Sequence, residues 1–188
     1  RYFALDLDYP ALQARMQAAP KGLAGCIACA PGIRVLRQPF FETLITFLIS
    51  QNNNIKRIKG IIERLCRLLG QSIGDSGFFS FPTPEALAAA TADQLAPLRC
   101  GFRARYLIDA AQKVCSGQVR LDAIPSMPLE EAHRELMQIC GVGPKVADCV
   151  LLFGFHRLEC CPMDVWMKRV FAVLYPNGLP DCARDFAG

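Results

Sequence analysis

A lysine just past a glycine-rich turn and an aspartate nineteen residues later are the side chains of this sequence best placed for covalent chemistry. The stretch runs Cys140-Gly141-Val142-Gly143-Pro144-Lys145-Val146-Ala147-Asp148-Cys149, and the aspartate is Asp164. Glycine adopts positive φ without steric penalty and lets another molecule come close to the backbone. Gly141 and Gly143 therefore leave free N–H groups at the head of the apolar run that follows. Free amides at a helix N-terminus bind anions through hydrogen bonds and the positive end of the dipole. The anion that suits this place is a nucleic-acid phosphate. The same field opposes a charged ammonium at Lys145 and favours the neutral amine that a nucleophile needs. On position alone, the plainer reading of Lys145 is a solvated lysine or a phosphate contact. Asp164 likewise has a plain role as a helix N-cap. A carboxylate can combine that role with charge stabilisation of a cationic transition state.

These side chains need elements to hold them. Leu129 to Ile139 reads as one helix, with Leu136, Met137 and Ile139 on its inner side, and Val146 to Phe155 reads as a second, almost wholly apolar helix. Residues 129–155 thus form a helix-hairpin-helix. Upstream, Tyr9 to Ala19 reads as a short helix, and Arg1 to Leu7 as a short strand or the entry to a helix. Ile33 to Gln38 is a connector, and Pro39 opens a helix at the first turn, where proline is tolerated. Phe41 to Ser50 is apolar on nearly all sides and is expected to be buried, and Asn52 to Asn54 break it. Ile55 to Leu69 carries an apolar stripe at 55, 58, 61, 62, 65, 68 and 69, the spacing of one helix face. Gly70 to Gly77 is a loop. Thr83 and Thr91 cap two short helices, Pro84–Ala90 and Ala92–Leu98, and Arg103–Ser116 is another helix. Pro125, Ser126 and Pro128 punctuate before the hairpin pair. Asp164 starts a last helix that Pro176 stops near Leu174. The expected class is all-α, with eight to ten helices, no repeat and no low-complexity tract.

Composition bounds the function. The 188 residues are 52% hydrophobic and 20% charged, which excludes a disordered chain. The net charge of +4 is compatible with DNA binding without arguing for it. No apolar run is long enough to span a membrane, and no signal peptide is evident. Ten cysteines sit at irregular spacing, four of them (66, 115, 140, 149) inside apolar runs, where a thiol acts as a small hydrophobe. That usage reads as a reducing, intracellular compartment, either a bacterial cytoplasm or nucleoid or a eukaryotic nucleus. Cys26-Ile27-Ala28-Cys29 could begin a zinc site, but no second ligand pair follows at the usual spacing.

Four motifs in order carry a resemblance: Ser50-Gln51-Asn52-Asn53-Asn54-Ile55-Lys56-Arg57, Gly101-Phe102-Arg103-Ala104-Arg105-Tyr106, Gly141 to Cys149, and Pro162-Met163-Asp164-Val165. They resemble the asparagine-triplet loop, the G-Y-R-A-R-Y segment, the G-V-G-x-K-V-A-D-C hairpin and the P-V-D-V loop of the HhH-GPD DNA glycosylases, in the 8-oxoguanine glycosylase/lyase branch. The resemblance spans residues 1–188. It implies two helical subdomains around a DNA-binding cleft. It also implies that the antiparallel β domain and the final helix of relatives are absent here. The iron–sulfur cluster of a cousin, endonuclease III, is unsupported.

The resemblance implies a chemistry. Lys145 attacks the sugar C1′, expels the base and holds a Schiff base, and β-elimination then nicks the strand. Asp164 stabilises the oxocarbenium-like transition state. Asn52, with Asn53 beside it, fills the gap left by an extruded base, although asparagines can also simply form a turn. Arg57 and Arg103 meet the orphaned cytosine, and Phe102, tyrosine in many relatives, wedges into the stack. Gly141, Val142, Gly143 and Val146 hold phosphate through the hairpin. Trp166 stands where some relatives have a phosphate-binding histidine, and its indole N–H can donate one bond. Cys149, one turn after Lys145, and Phe153, one turn further, line the base pocket; plain packing is their alternative. Cys140 replaces a common proline and is expected to soften the hairpin entry. No cofactor or catalytic metal is implied, although the carbonyls of Met137, Ile139 and Val142 can hold a structural cation. The expected partner of this monomer is duplex DNA with a damaged base, 8-oxoguanine opposite cytosine. Competing expectations are another lesion, such as an oxidised pyrimidine, and a non-catalytic DNA-binding module.

Overall fold

The computed structural model describes residues 2–17 and 23–176. Nine α-helices lie among them: α1 Tyr9–Gln17, α2 Leu23–Cys29, α3 Phe40–Ser50, α4 Ile55–Leu69, α5 Pro84–Ala88, α6 Arg103–Cys115, α7 Leu129–Leu136, α8 Pro144–Gly154 and α9 Val165–Leu174. The only β feature among the described residues is an isolated bridge between Ser72 and Phe79, so the all-α expectation holds.

The core forms around α3. Leu44, Ile45, Leu48 and Ile49 are fully buried. They meet Val146, Ala147, Val150 and Leu151 of α8, Leu107, Ala110 and Ala111 of α6, and Ile61 and Leu65 of α4. Removing each such leucine or isoleucine from water stabilises by roughly 1.5–3 kcal/mol. The C-terminal end of α8 lies against the start of α3. A Cβ at Gly154 would come within 3.3 Å of the Phe40 backbone, and the Phe40 and Phe155 rings stack tilted at 4.9 Å. Helix α8 is therefore fixed along its length, which holds the hairpin at its head.

Several expected bounds move, each for a local reason. Residues 2–7 form no strand and instead lead by turns into α1. Ala4 is buried at φ 49, and Arg37 is tied to Asp6 at 2.8 Å and to the Tyr2 carbonyl. The Tyr9 helix is described to Gln17, and its expected last two residues lie outside the described ones. Helix α2 was not foreseen, since its small residues show no apolar period. Ala92–Leu98 is a turn and a short 3-10 segment rather than an α-helix. Pro97 removes a donor, and the Thr91 and Gln94 side chains bond reciprocally to each other's backbone N–H. The stripe on α4 is narrower than expected, because Ile55 and Leu68 are exposed. Helix α7 stops at Leu136, so Met137 faces solvent while Ile139 is buried in the turn beyond. Helix α8 starts at Pro144, two residues early, because proline suits the first turn.

One buried charge ties α7 to the preceding loop. Glu135, 5% exposed, accepts from the Arg120 backbone N–H at 2.6 Å and from its guanidinium at 3.0 Å. The Arg120 side chain, then its backbone N–H, holds the Glu135 carboxyl below the usual carboxylate range. A depressed carboxyl contributes stability above its unfolded-state range and loses it as the pH falls through the folded one. Glu135→Gln is therefore expected to destabilise at neutral pH by roughly 1–3 kcal/mol. Melting temperatures of both proteins should converge on acidification below about pH 4, the ordinary glutamate range. A gap that persists unchanged well below that range would refute the charge assignment.

Candidate active site

The glycine turn lies between α7 and α8 and is held from two sides. From α3, the Gln51 side-chain amide donates to the Gly141 carbonyl at 2.9 Å. From α6, Asp109 accepts the Cys140 N–H at 2.7 Å, Lys113 pairs with Asp109 at 3.0 Å, and Lys113 Nζ donates to the Gln138 carbonyl. Proline could not make the Cys140 bond, so Cys140 tethers the hairpin entry instead of softening it. Gly141 sits at φ 85, and a Cβ there would lie 2.6 Å from the Tyr106 ring. Both conformation and packing demand glycine. Gly143 differs: its φ of −100 suits any residue, and no atom lies within 4 Å of an added Cβ. The expectation that both glycines need special φ is thus corrected for Gly143.

Gly143 is the N-cap of α8, with no side-chain cap, and Pro144 has no N–H. Among the described residues the N–H groups of Gly143, Lys145 and Val146 have no acceptor. They form a cradle of free donors at an uncapped helix start, an arrangement that can accept an anion. Val142 and Val146 themselves are buried, so they contribute backbone and not side chain to this surface. The Val142 N–H donates to the Ile139 carbonyl at 3.0 Å, which leaves the Met137 and Val142 carbonyls without a protein donor among the described residues.

Lys145 is exposed beside this cradle and forms no ion pair among the described residues. Asp164 is half-buried and caps α9, accepting the Met167 N–H at 2.7 Å through Oδ1. Its second oxygen stays available. Cys149 is 4% exposed, and burial pushes its thiol up to about 11, with Lys145 opposing that rise and Asp148 and Asp164 adding to it. Cys149 is thus a buried thiol, held neutral, within electrostatic reach of both Lys145 and Asp164. Phe153 stacks on Phe47 at 5.9 Å on the same helix.

The three asparagines divide their work. Asn54 caps α4 by accepting the Arg57 N–H at 3.0 Å. Asn53 donates to the Ile49 carbonyl at 3.1 Å and closes α3. Asn52 stands exposed at φ 45, its side chain unbonded among the described residues. Arg103 is 4% exposed, with its guanidinium over the Phe102 ring at 4.6 Å. It donates to the carbonyls of Gln51, Asn52 and Cys100. Arg57 is exposed and donates to the Arg99 carbonyl at 3.1 Å. Phe102 is 55% exposed and packs edge-on against Tyr106. Trp166 is 70% exposed, with Arg169 over its ring, so it offers its indole freely.

Four residues that position the site escaped sequence reading. Gln51 and Tyr106 lay inside motifs that signalled only their neighbours. Asp109 is legible only once α6 packs on the turn. Arg157 donates to the carbonyls of Ile124 and Met127 at 2.9 and 3.0 Å and anchors the segment leading to Asp164. Cys29, half of the pair considered for zinc, is exposed at the end of α2, and nothing is described of the Cys26 side chain. An apolar cavity of about 420 Å³ lies between α1, α2 and the connector, lined by Tyr9, Leu12, Met16, Ile27 and Val35. No site residue reaches it.

Comparison with known proteins places this geometry. The family model described as HhH-GPD superfamily base excision DNA repair protein matches residues 45–179. The N-glycosylase/DNA lyase of Saccharomyces cerevisiae is 37% identical over 184 residues, covering 90% of this chain and 49% of the yeast protein. The probable N-glycosylase/DNA lyase of Methanothermobacter thermautotrophicus is 30% identical over 84% of this chain and 57% of its own length. Among solved structures, the Clostridium acetobutylicum 8-oxoguanine glycosylase/lyase, bound to double-stranded DNA with cytosine opposite 8-oxoguanine, superposes with a TM-score of 0.86. It is 35% identical, and the match covers 98% of this chain and 65% of that one. The chain thus spans about half the length of the curated relatives it matches.

Proposed function

Because this chain belongs to the HhH-GPD superfamily of base excision DNA repair proteins, we propose that it is a bifunctional DNA glycosylase/AP lyase that excises 8-oxoguanine opposite cytosine from duplex DNA. The observation that carries this reading is the pairing of Lys145 with the uncapped start of α8, with Asp164 within electrostatic reach of the same buried thiol. The cradle amides bind a phosphate, and binding draws the target nucleotide out of the stack. The Lys145 amine then attacks C1′ as the base departs with its bonding electrons. The Asp164 carboxylate stabilises the positive charge that builds on the sugar. The attacking nitrogen gives up its proton and the C1′–O4′ bond opens, its electron pair leaving on O4′, so that a Schiff base joins Lys145 to C1′. Loss of a proton from C2′ and departure of the 3′ phosphate then complete the lyase step. Cys149 and Phe153 wall the pocket for the extruded base. Asn52 and Phe102 occupy the vacated stack, and Trp166 and Val146 contribute phosphate contacts. The protein works as a monomer in a reducing, intracellular compartment, and no described helix is long and apolar enough to cross a membrane. Borohydride reduction in the presence of an 8-oxoguanine:cytosine duplex tests the reading. A covalent protein–DNA adduct is expected, and its absence alongside normal duplex binding would favour a non-catalytic module.

Opposite-base choice rests on Arg57 and Arg103. The donors of exposed Arg57 suit the O2 and N3 acceptors of an unpaired cytosine, an arrangement adenine lacks. Arg103, buried with its guanidinium on three carbonyls, must exchange one of them to reach the base. Arg57→Ala is expected to lower the cytosine-over-adenine preference in excision by roughly 1–3 kcal/mol. Arg103→Ala should act in the same direction and also lower the melting temperature, since it strips the Gln51 and Asn52 carbonyls of their donor. Equal weakening opposite all four bases would instead mark both arginines as general electrostatic contacts.

A further inference from the structure

We propose that His133, Asp148 and Cys160 form a structural site for one divalent ion of the zinc class. His133 Nε2 on α7 lies 2.8 Å from Asp148 Oδ1 on α8. The Cys160 sulfur, on the segment that leads to Asp164, lies within 4.8 Å of both. Three atoms so spaced share a point no more than about 2.5 Å from each. Zinc binds imidazole nitrogen and carboxylate oxygen at roughly 2.0–2.2 Å and thiolate at roughly 2.3 Å. Less than about half an ångström of adjustment therefore completes a three-ligand site with a fourth tetrahedral position open.

Chemistry selects the ion. Imidazole, carboxylate and thiolate together suit zinc or cobalt and not magnesium or calcium, which take oxygen ligands. All three groups are largely buried, with the His133 and Asp148 side chains 17% and 14% exposed and Cys160 6% exposed. A bare dication there would be costly. The Asp148 carboxylate and a Cys160 thiolate offset its two charges, so the loaded site is neutral. Binding sends the Cys160 thiol proton to solvent, and His133 binds through Nε2 as a neutral imidazole with its one ring proton on Nδ1.

Position says what the ion does. Its three ligands include neither Lys145 nor Asp164, yet it joins the two helices of the hairpin motif to the segment carrying Asp164. It is a staple, and its existence does not depend on which lesion the protein repairs. Irregular spacing, at 133, 148 and 160, hides it from motif reading.

The test is titration of the chelator-treated chain with zinc alone and with cobalt alone. The expected result is one tight equivalent, a cobalt–thiolate charge-transfer band in the near ultraviolet, and a raised melting temperature. Cys160→Ala, which removes only a buried sulfur, should abolish the band and weaken zinc binding at least about 100-fold, beyond the usual effect of losing a ligand's supporting partner. Asp148→Asn, which keeps a hydrogen-bonding group beside His133, should also weaken binding. Cys140→Ala, in the exposed hairpin, should keep the band. The proposal is overturned if the wild type binds no stoichiometric ion, or if the band survives in Cys160→Ala. Either result would leave His133 and Asp148 as a hydrogen-bonded pair beside a packing thiol.

Discussion

Lys145→Gln is expected to abolish borohydride trapping and strand nicking, and to lower base release by at least about 10³-fold, the scale on which loss of a nucleophile acts. Duplex affinity should fall little. The proposed phosphate cradle consists of the backbone N–H groups of Gly143, residue 145 and Val146, which glutamine leaves in place. Folding should be unaffected as well, because Lys145 is exposed and makes no ion pair among the described residues. Glutamine keeps the length and polarity of the side chain but has no basic amine to form a Schiff base. The decisive comparison is trapped adduct against duplex affinity in the same preparation. An adduct of undiminished yield in Lys145→Gln would remove Lys145 from the chemistry. A parallel loss of affinity and adduct would make it a phosphate contact only.

The second large effect separates the two hairpin glycines. Gly141→Val is expected to destabilise the protein by roughly 2–5 kcal/mol, from the left-handed backbone and from overpacking. The valine would have to hold φ 85 while its Cβ meets the Tyr106 ring at 2.6 Å. The turn would shift, breaking the Gln51 bond to the Gly141 carbonyl, and binding to every duplex should collapse with it. Gly143→Val has no such conflict inside the protein, so its stability should change by no more than about 1 kcal/mol, the scale of an N-cap preference. Its side chain would still stand where a phosphate must approach. Binding should weaken alike for damaged and undamaged duplexes, since phosphate contacts carry no sequence information. Thermal melts and duplex titrations on both variants decide this. Equal melting temperatures would mean that Tyr106 yields to the added side chain. A loss confined to one lesion would place Gly143 in base recognition.

The order of helices was legible because burial leaves either a period, as on α4, or an unbroken apolar run, as in α3. The Thr83 and Asp164 caps were legible because a side-chain oxygen before an apolar run has one local use. The hairpin and its lysine could be read for a related reason. Glycine, proline and an uncapped helix start act within a few residues of one another, so spacing carries the information. Resemblance supplied the chemistry of Lys145 and Asp164, which position alone did not. Tertiary structure decided everything that depends on partners distant in the chain. It made Gly141 indispensable through Tyr106 and left Gly143 unconstrained. It turned Cys140 into a tether through Asp109 and hid Arg103 among three carbonyls. It brought His133, Asp148 and Cys160 together from three elements. A local pattern is set by the backbone geometry of neighbours, whereas these contacts exist only after α3, α6, α7 and α8 have packed, and no spacing in the sequence encodes them.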